Sequence, residues 1–388
     1  MKSQIEGLWK SVPAVIFAVL IWLGAGGIAS AQSAQDVTPV LEGLDPIMLV
    51  QGKEVQGNLK ISVTRGNFQY FFASEENKAI FDKDPSHYEI QLNGACARMG
   101  PPVNGNPDLY SVYQGRIYIF GSGECKTRFD ATPAKYLESE SGAQPKIPLT
   151  PDALKKGQVL IEKAVAAMGD ATLIDGLVSY HEKSAALQGR HGGDVEVKTD
   201  LTILFPDRIR LDQVMPDYVN PSTLRQGGVV IAAGEAFAIT PNGMRPLRDA
   251  IRIDQERETN WRPLMILRAR KSAGFNAAAI GSANVGETAV EQVVFERDGT
   301  NYTLGIDPAT GRILSLSYHR RGPQGDFGQL TKVFSDFRAV DGVTLPFKVT
   351  ATFNEQPWKE QSATVVSISI NGKVDPALFE KPKSAKTP

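Results

Sequence analysis

Only six side chains in the 388-residue sequence are obvious thiol or imidazole candidates: Cys96, Cys125, His87, His181, His191 and His319. Cys125 lies in "GRIYIFGSGECKTRFDATPAKYL", residues 115–137, directly after a Gly-Ser-Gly turn. Such a thiol can be a nucleophile, a metal ligand, half of a disulfide or a buried apolar group. The first turn of a helix lowers a thiol pKa, which favours the nucleophile. Against it, no histidine lies near in sequence to act as base. "GSGEC" also lacks the G-x-S-x-G spacing of a serine-hydrolase elbow. His181, His191 and His319 show no i,i+2 or i,i+4 ligand spacing and read as solvated strand or loop residues. Two cysteines and few histidines fall short of a closed zinc set. With no catalytic set, the expectation is a protein that is not an enzyme.

The N-terminus defines the compartment in which these thiols must act. Lys2 and Lys10 precede an apolar run, "VPAVIFAVLIWLGAGGIA", which ends at Ala29-Ser30-Ala31. A charged start, an apolar centre and a small-x-small end make a secretory signal peptide over residues 1–31. The expected location is therefore periplasmic, where two cysteines can oxidise. A net charge of -1 and 22% charged residues give a globular chain without a basic footprint, so nucleic acid is excluded as a partner.

Two regions follow, separated by the polar passage at 139–152, which reads as a linker. The first contains an internal repeat. "YFFASEENKAIFDKDPSHY" (70–88) aligns without a gap on "YIFGSGECKTRFDATPAKY" (118–136), at an offset of 48, with recurring Tyr, Phe, Ser, Glu, Lys, Asp and Pro positions. Each copy predicts an aromatic strand, a serine N-cap at Ser74 or Ser122, and a helix carrying Phe81 or Phe129 inward. Pro85 or Pro133 then ends that helix.

This frame resembles the YHS domain, a small module in which an aromatic strand leads into Cys-Ser-x-x-Cys and a helix. The resemblance covers residues 43–138, as repeats 43–90 and 91–138. Cys125 matches the second cysteine of that motif, Gly121 replaces the first, and Cys96 in "ACARMGPPV" matches the upstream cysteine. In the first copy the matching positions are Met48, Ala73 and Asn77. The resemblance implies that Cys96 and Cys125 sit close together, which makes a disulfide the leading expectation in an exported protein. The alternative is a soft-metal site holding copper, with Met99 and His87 as further ligands. Buried free thiols are the third reading.

The second region, 153–382, opens with an amphipathic helix over 154–175, its apolar positions at Val159, Leu160, Ala164 and Met168. Alternating strands dominate thereafter, turning at Asp307–Gly311 and at Asp341-Gly342. They are interrupted at 245–270 by helix broken near Pro263. The fold class is α+β, with an antiparallel half-barrel wrapped around a few helices. "FPDRIRL", "DPATGRILSLSY", "DGVTLPFKV" and "INGKVDPALFEKP" resemble the LolA-like superfamily of exported lipid and lipoprotein carriers.

That resemblance implies a curved sheet holding an acyl chain under a helical lid. The candidate apolar-ligand face is Leu201, Ile203, Phe205, Ile209, Leu211, Leu314, Leu316, Phe347 and Val349. "YHRR" (318–321) reads as a solvated strand end, with an anionic head-group contact as the alternative, and "RIDQERETNWR" as a solvated helix face. The expected function is a periplasmic carrier of a hydrophobic small molecule or lipidated envelope protein, with transient membrane contact. The rival is a copper or redox protein built on Cys96 and Cys125.

Overall fold

The computed structural model describes residues 38–137, 145–190, 193–217, 220, 222–240 and 243–380; the signal-peptide expectation at 1–31, residues 139–144 of the expected linker and His191 lie outside them. The first region comprises two successive units. One contains β1 (Thr38–Pro39), α1 (Pro46–Val50), β2 (Asn58–Arg65), β3 (Phe68–Phe72), α2 (Glu75–Lys83) and α3 (Pro85–Tyr88). The next contains β4 (Ala95–Cys96), β5 (Gly100–Asn104), β6 (Asn106–Tyr113), β7 (Arg116–Phe120), α4 (Gly123–Ala131) and α5 (Pro133–Leu137). The serines act as caps: Ser74 Oγ accepts from Asn77 N–H and Ser122 Oγ from Cys125 N–H, each at 3.2 Å. Phe81 and Phe129 are fully buried, each against aromatic residues of its preceding strand.

Ahead of those strands the correspondence changes offset. The turns Leu41–Gly43 and Leu92–Gly94 share three consecutive positive φ angles, 51 residues apart. Asp45 is thereby the counterpart of Cys96, which corrects the pairing of Met48 with Cys96. Hydrogen bonding agrees. Asp45 Oδ2 accepts from Ala73 N–H and Asn77 Nδ2, both at 2.7 Å. Cys96 bonds the backbone of Gly121 and the Cys125 side chain, the same two positions one unit later.

The second region opens with α6 (Pro151–Met168) and α7 (Ala171–Asp175). Thr150 caps α6 through Ala153 N–H, and Gly169, at φ 153°, ends it. Ile161, Ala164, Val165 and Met168 form its buried stripe. Val159, expected on that stripe, is 62% exposed, because it lies half a turn round from Ile161.

Strands β8 (Ser179–Arg190), β9 (Gly193–Leu204), β10 (Arg208–Pro216), β11 (Leu224–Ala232), β12 (Glu235–Thr240) and β13 (Gly243–Pro246) form a meander. Helices α8 (Asp249–Asn260) and α9 (Pro263–Ala269) follow, broken where Pro263 fixes a new first turn. A second meander runs through β14 (Ala278–Val285), β15 (Thr288–Arg297), β16 (Thr300–Ile306), β17 (Ile313–Arg321), β18 (Phe327–Val340) and β19 (Val343–Phe353). The short β20 (Gln356–Pro357) pairs with β19, and β21 (Ala363–Ile370) inserts between β19 and β8, joining the meanders. The result is one 14-stranded antiparallel sheet with β13 and β14 at its two ends, so it does not close. Residues 247–277, which carry α8 and α9, connect those ends across its inner face, against which α6, α7 and α9 pack.

Buried arginines join the two regions. Arg321 donates to the carbonyls of Arg98 (2.8 Å) and Tyr136 (2.5 Å), while Arg98 Nη2 reaches Gln324 O at 3.1 Å. Arg248 donates to Gly105 O and lies over the Phe68 ring at 5.0 Å. Chains approach so closely here that a Cβ on Gly325, at φ +82°, would sit 2.4 Å from Arg98 O. Replacing Arg321 by Met leaves buried carbonyls without donors, a cost of about 1–3 kcal/mol each. Arg321→Met is expected to lower the urea midpoint and to speed proteolysis between residues 138 and 150, with little change in far-UV circular dichroism.

Candidate functional site

Seven of the nine expected ligand-face residues lie together, but against the protein's own helices. Leu201, Ile203, Leu316 and Val349 are buried in the main core, and Phe205, Ile209 and Leu211 pack on its border. Leu264–Leu267 of α9 fill the same core, so the apolar inner face is covered. The other two lie elsewhere. Leu314 falls at the β16–β17 register irregularity and is half-buried, while Phe347 is buried under the Arg338 guanidinium, 4.4 Å from its ring centroid.

The interior next to that core is charged. Arg262 forks onto Glu182 at 2.9 and 3.0 Å, and its remaining nitrogen caps α8 through the carbonyls of Glu258 and Thr259. Tyr180 donates to the same carboxylate at 2.5 Å. Arg320 pairs with Glu258, and Arg257 with the buried Asp254 at 2.6 Å. Burial works against ionisation of Glu182 and Glu258, but Arg262 and Arg320 respectively hold both below the usual carboxylate range. These findings correct two expectations. The "YHRR" end is not solvated, since Arg320 and Arg321 are buried, and the "RIDQERETNWR" helix turns Asp254, Gln255 and Thr259 inward.

Lys332 differs from those arginines. It is 1% exposed, and its ammonium bonds Gln361 Oε1 (2.8 Å) and Gln361 O (3.3 Å) and sits 4.1 Å from the Trp261 ring centroid. Among the described residues no carboxylate is within ion-pair distance of it. Burial pulls its pKa down to about 7, against the attraction of Glu258.

Lys332 lines a cavity of about 170 Å³ at the joint of α8 and α9, together with Trp261, Arg262, Gln188, Thr199 and Gln213. Gln188 is 3% exposed, and neither its amide oxygen nor its amide nitrogen has a partner. A larger hollow of about 990 Å³ is lined by residues of β8–β12 and by Val366 of β21. Its charges are already matched: Lys183 with Asp200, Lys198 with Glu196 and Arg210 with Asp212. His181 also bonds Asp200, at 2.6 Å, and His319 is half-buried with its Nδ1 unpartnered.

The two cysteines meet in the N-terminal region as free, buried thiols rather than as a disulfide. They hydrogen-bond each other, and Arg98 Nη1 lies 3.7 Å from Cys125 Sγ. The bond from Cys96, followed by Ser122 and Arg98, brings Cys125 down to about 5 against the effect of burial. Cys96 moves the other way, raised by the same hydrogen bond, by burial and by the neighbouring charge. Met99 shares their buried cluster. His87 does not; it stacks edge-on against Tyr88 at 4.6 Å, in the first unit. Among the described residues, no group of three or more His, Cys, Asp or Glu side chains is placed to hold a metal ion.

No protein-family model matches the chain, and no curated protein matches it. Solved structures similar to it include a LolA superfamily protein from Nitrosomonas europaea, 11% identical over 58% of this chain and 97% of that one, with TM-score 0.37. A DUF1329 family protein from Desulfovibrio piger is 13% identical over 59% and 98%, with TM-score 0.41. A domain described as part of an outer membrane lipoprotein-sorting protein from Vibrio parahaemolyticus gives 11%, 58%, 97% and 0.38. At these values the likeness does not bear on function.

Unequal thiols have a direct consequence. Iodoacetamide is expected to label Cys125 and spare Cys96, with the rate climbing through a midpoint near pH 5. Arg98→Met moves that midpoint upward. A labelling rate that climbs only through pH 8–9 would contradict this geometry.

Proposed function

We propose that residues 151–380 form a non-enzymatic binding module that carries an apolar ligand of acyl-chain type in the bacterial envelope. The supporting observation is the path of the chain. One segment, α8–α9, joins the two free ends of an open sheet and buries four consecutive apolar residues in the core shared by the sheet's inner face, α6 and α7. Such a helix can leave the sheet without breaking strand pairing, and it would uncover Leu201, Ile203, Phe205, Ile209 and Leu211 when it does.

Magnitudes favour such an exchange. Burying Leu264, Met265, Ile266 and Leu267 contributes roughly 6–12 kcal/mol at about 1.5–3 kcal/mol per side chain. A sixteen-carbon chain buries a similar amount, about 12 kcal/mol at ~0.8 kcal/mol per methylene. Ligand and helix are thus comparable occupants of one face, and α9 acts as a lid. The LolA-like phrases at 205–211, 307–318, 341–349 and 370–382 support the same reading. The signal-peptide pattern at 1–31 supports export, and the YHS-like frame at 43–138 makes the first region an accessory module. A lipid or a lipidated envelope protein is the partner this reading requires.

Trp261 reports on the lid, because it stacks on Phe334 at 6.1 Å, at the joint of α8 and α9. With residues 1–31 removed, only Trp261 and Trp358 remain of the four tryptophans. In Trp358→Phe, titration with palmitate or N-phenyl-1-naphthylamine is expected to shift Trp261 emission saturably, at one ligand per chain. A flat emission signal, with no dye fluorescence gained, would remove the carrier reading.

A further inference from the structure

The cluster behind α8 holds four cations, the half-buried Arg257 and Arg262 and the buried Arg320 and Lys332, but three carboxylates, Glu182, Asp254 and Glu258. Each carboxylate is taken by an arginine, so the cation left without a counter-ion is Lys332. Glu360 also lines the cavity, but it is partly exposed and accepts from Gly189 N–H at 3.1 Å. A fully buried ammonium bonded to one neutral amide residue and an aromatic face is costly unless something completes it.

Gln188 makes the second, independent point. Both ends of its amide are buried and unpartnered, whereas buried polar groups in native proteins are nearly always bonded. Lys332 and Gln188 line the same cavity, of about 170 Å³. That space suits a compact head group. The cavity adjoins Trp261 and Arg262, immediately before α9 begins, and so lies beside the helix that covers the apolar core.

We propose that this cavity receives the acidic head group, a carboxylate, of the ligand whose chain occupies the inner face, with Lys332 as counter-ion and Gln188 as hydrogen-bond partner. The proposal rests on the carrier reading and specifies its ligand class. The Gln188 nitrogen donates to the carboxylate. Its oxygen accepts from a hydroxyl or N–H beside that group, or from a water carried in with it. Arg262 and Arg320 contribute positive potential without binding the ligand, since Glu182 and Glu258 engage them.

The test compares palmitate with hexadecanol, equal in chain length but not in charge, as competitors of N-phenyl-1-naphthylamine on the chain lacking residues 1–31. Wild type is expected to bind palmitate at least about tenfold more tightly, the scale of one charge-assisted bond. Lys332→Met should reduce that preference to within about twofold while leaving the dye and hexadecanol unaffected; Gln188→Leu should reduce it in part. Lys332→Arg, which keeps the charge, should retain it, and serves as the control for lost folding. Equal affinity for acid and alcohol in wild type overturns the head-group site while leaving the carrier reading intact. A preference that survives Lys332→Met overturns it as well. Failure of both dye and alcohol to bind removes the carrier reading, and the head-group site with it.

Discussion

A charge taken out of water must find a partner, and the second region of this protein is organised around that constraint. Seven ionisable side chains converge behind α8, where an unpaired ion costs several kcal/mol. Glu182 and Arg262 tie β8 to the start of α9, and Glu258 and Arg320 tie α8 to β17. The segment between the free ends of the sheet is thus held at its joint by polar links and at α9 by apolar contact. Polar links of this kind define a position more than they add stability.

The surplus cation gives that joint a role. Lys332 and Gln188 leave an ammonium and an amide facing a small cavity, next to a helix whose apolar residues are buried in the main core. A destabilised, near-neutral lysine is the expected state of such a site when empty, because an anion restores the charge that burial suppresses. The larger hollow along β8–β12 shows the contrast, its charges matched pair by pair. In the N-terminal region the same chemistry is divided between the two units. Asp45 with Asn77 in one and Cys96 with Cys125 in the other make equivalent side-chain links, and the thiol link additionally carries Arg98 into the junction.

Strand alternation, the turns at 307–311 and 341–342, and the break at Pro263 were all legible in the sequence, since each depends on local rules. Val159 was misplaced because an apolar residue at a plausible period does not by itself define the buried stripe; Ile161 and Val165 do. The larger error concerned charge. Arg320, Arg321 and the carboxylates of α8 read as solvated because charged residues usually are. A signal was present: Ile251, Asp254, Gln255 and Glu258 recur at helical spacing, and Leu330, Lys332 and Phe334 alternate along one strand face. Charge at an inward-facing position only acquires meaning once its partner is known, and those partners lie tens of residues away. The Met48 pairing failed for a similar reason, because a three-residue insertion between turn and strand changes the offset from 51 to 48 without disturbing either half.

The head-group role of this cavity is read most directly at the Lys332 ammonium itself. Nitrogen NMR of selectively labelled lysine, assigned with Lys332→Arg, follows its titration with and without palmitate. The predicted result is a pKa near 7 in the empty protein that rises by at least about one unit when ligand binds. An unchanged titration in the presence of saturating palmitate would contradict the assignment of this cavity.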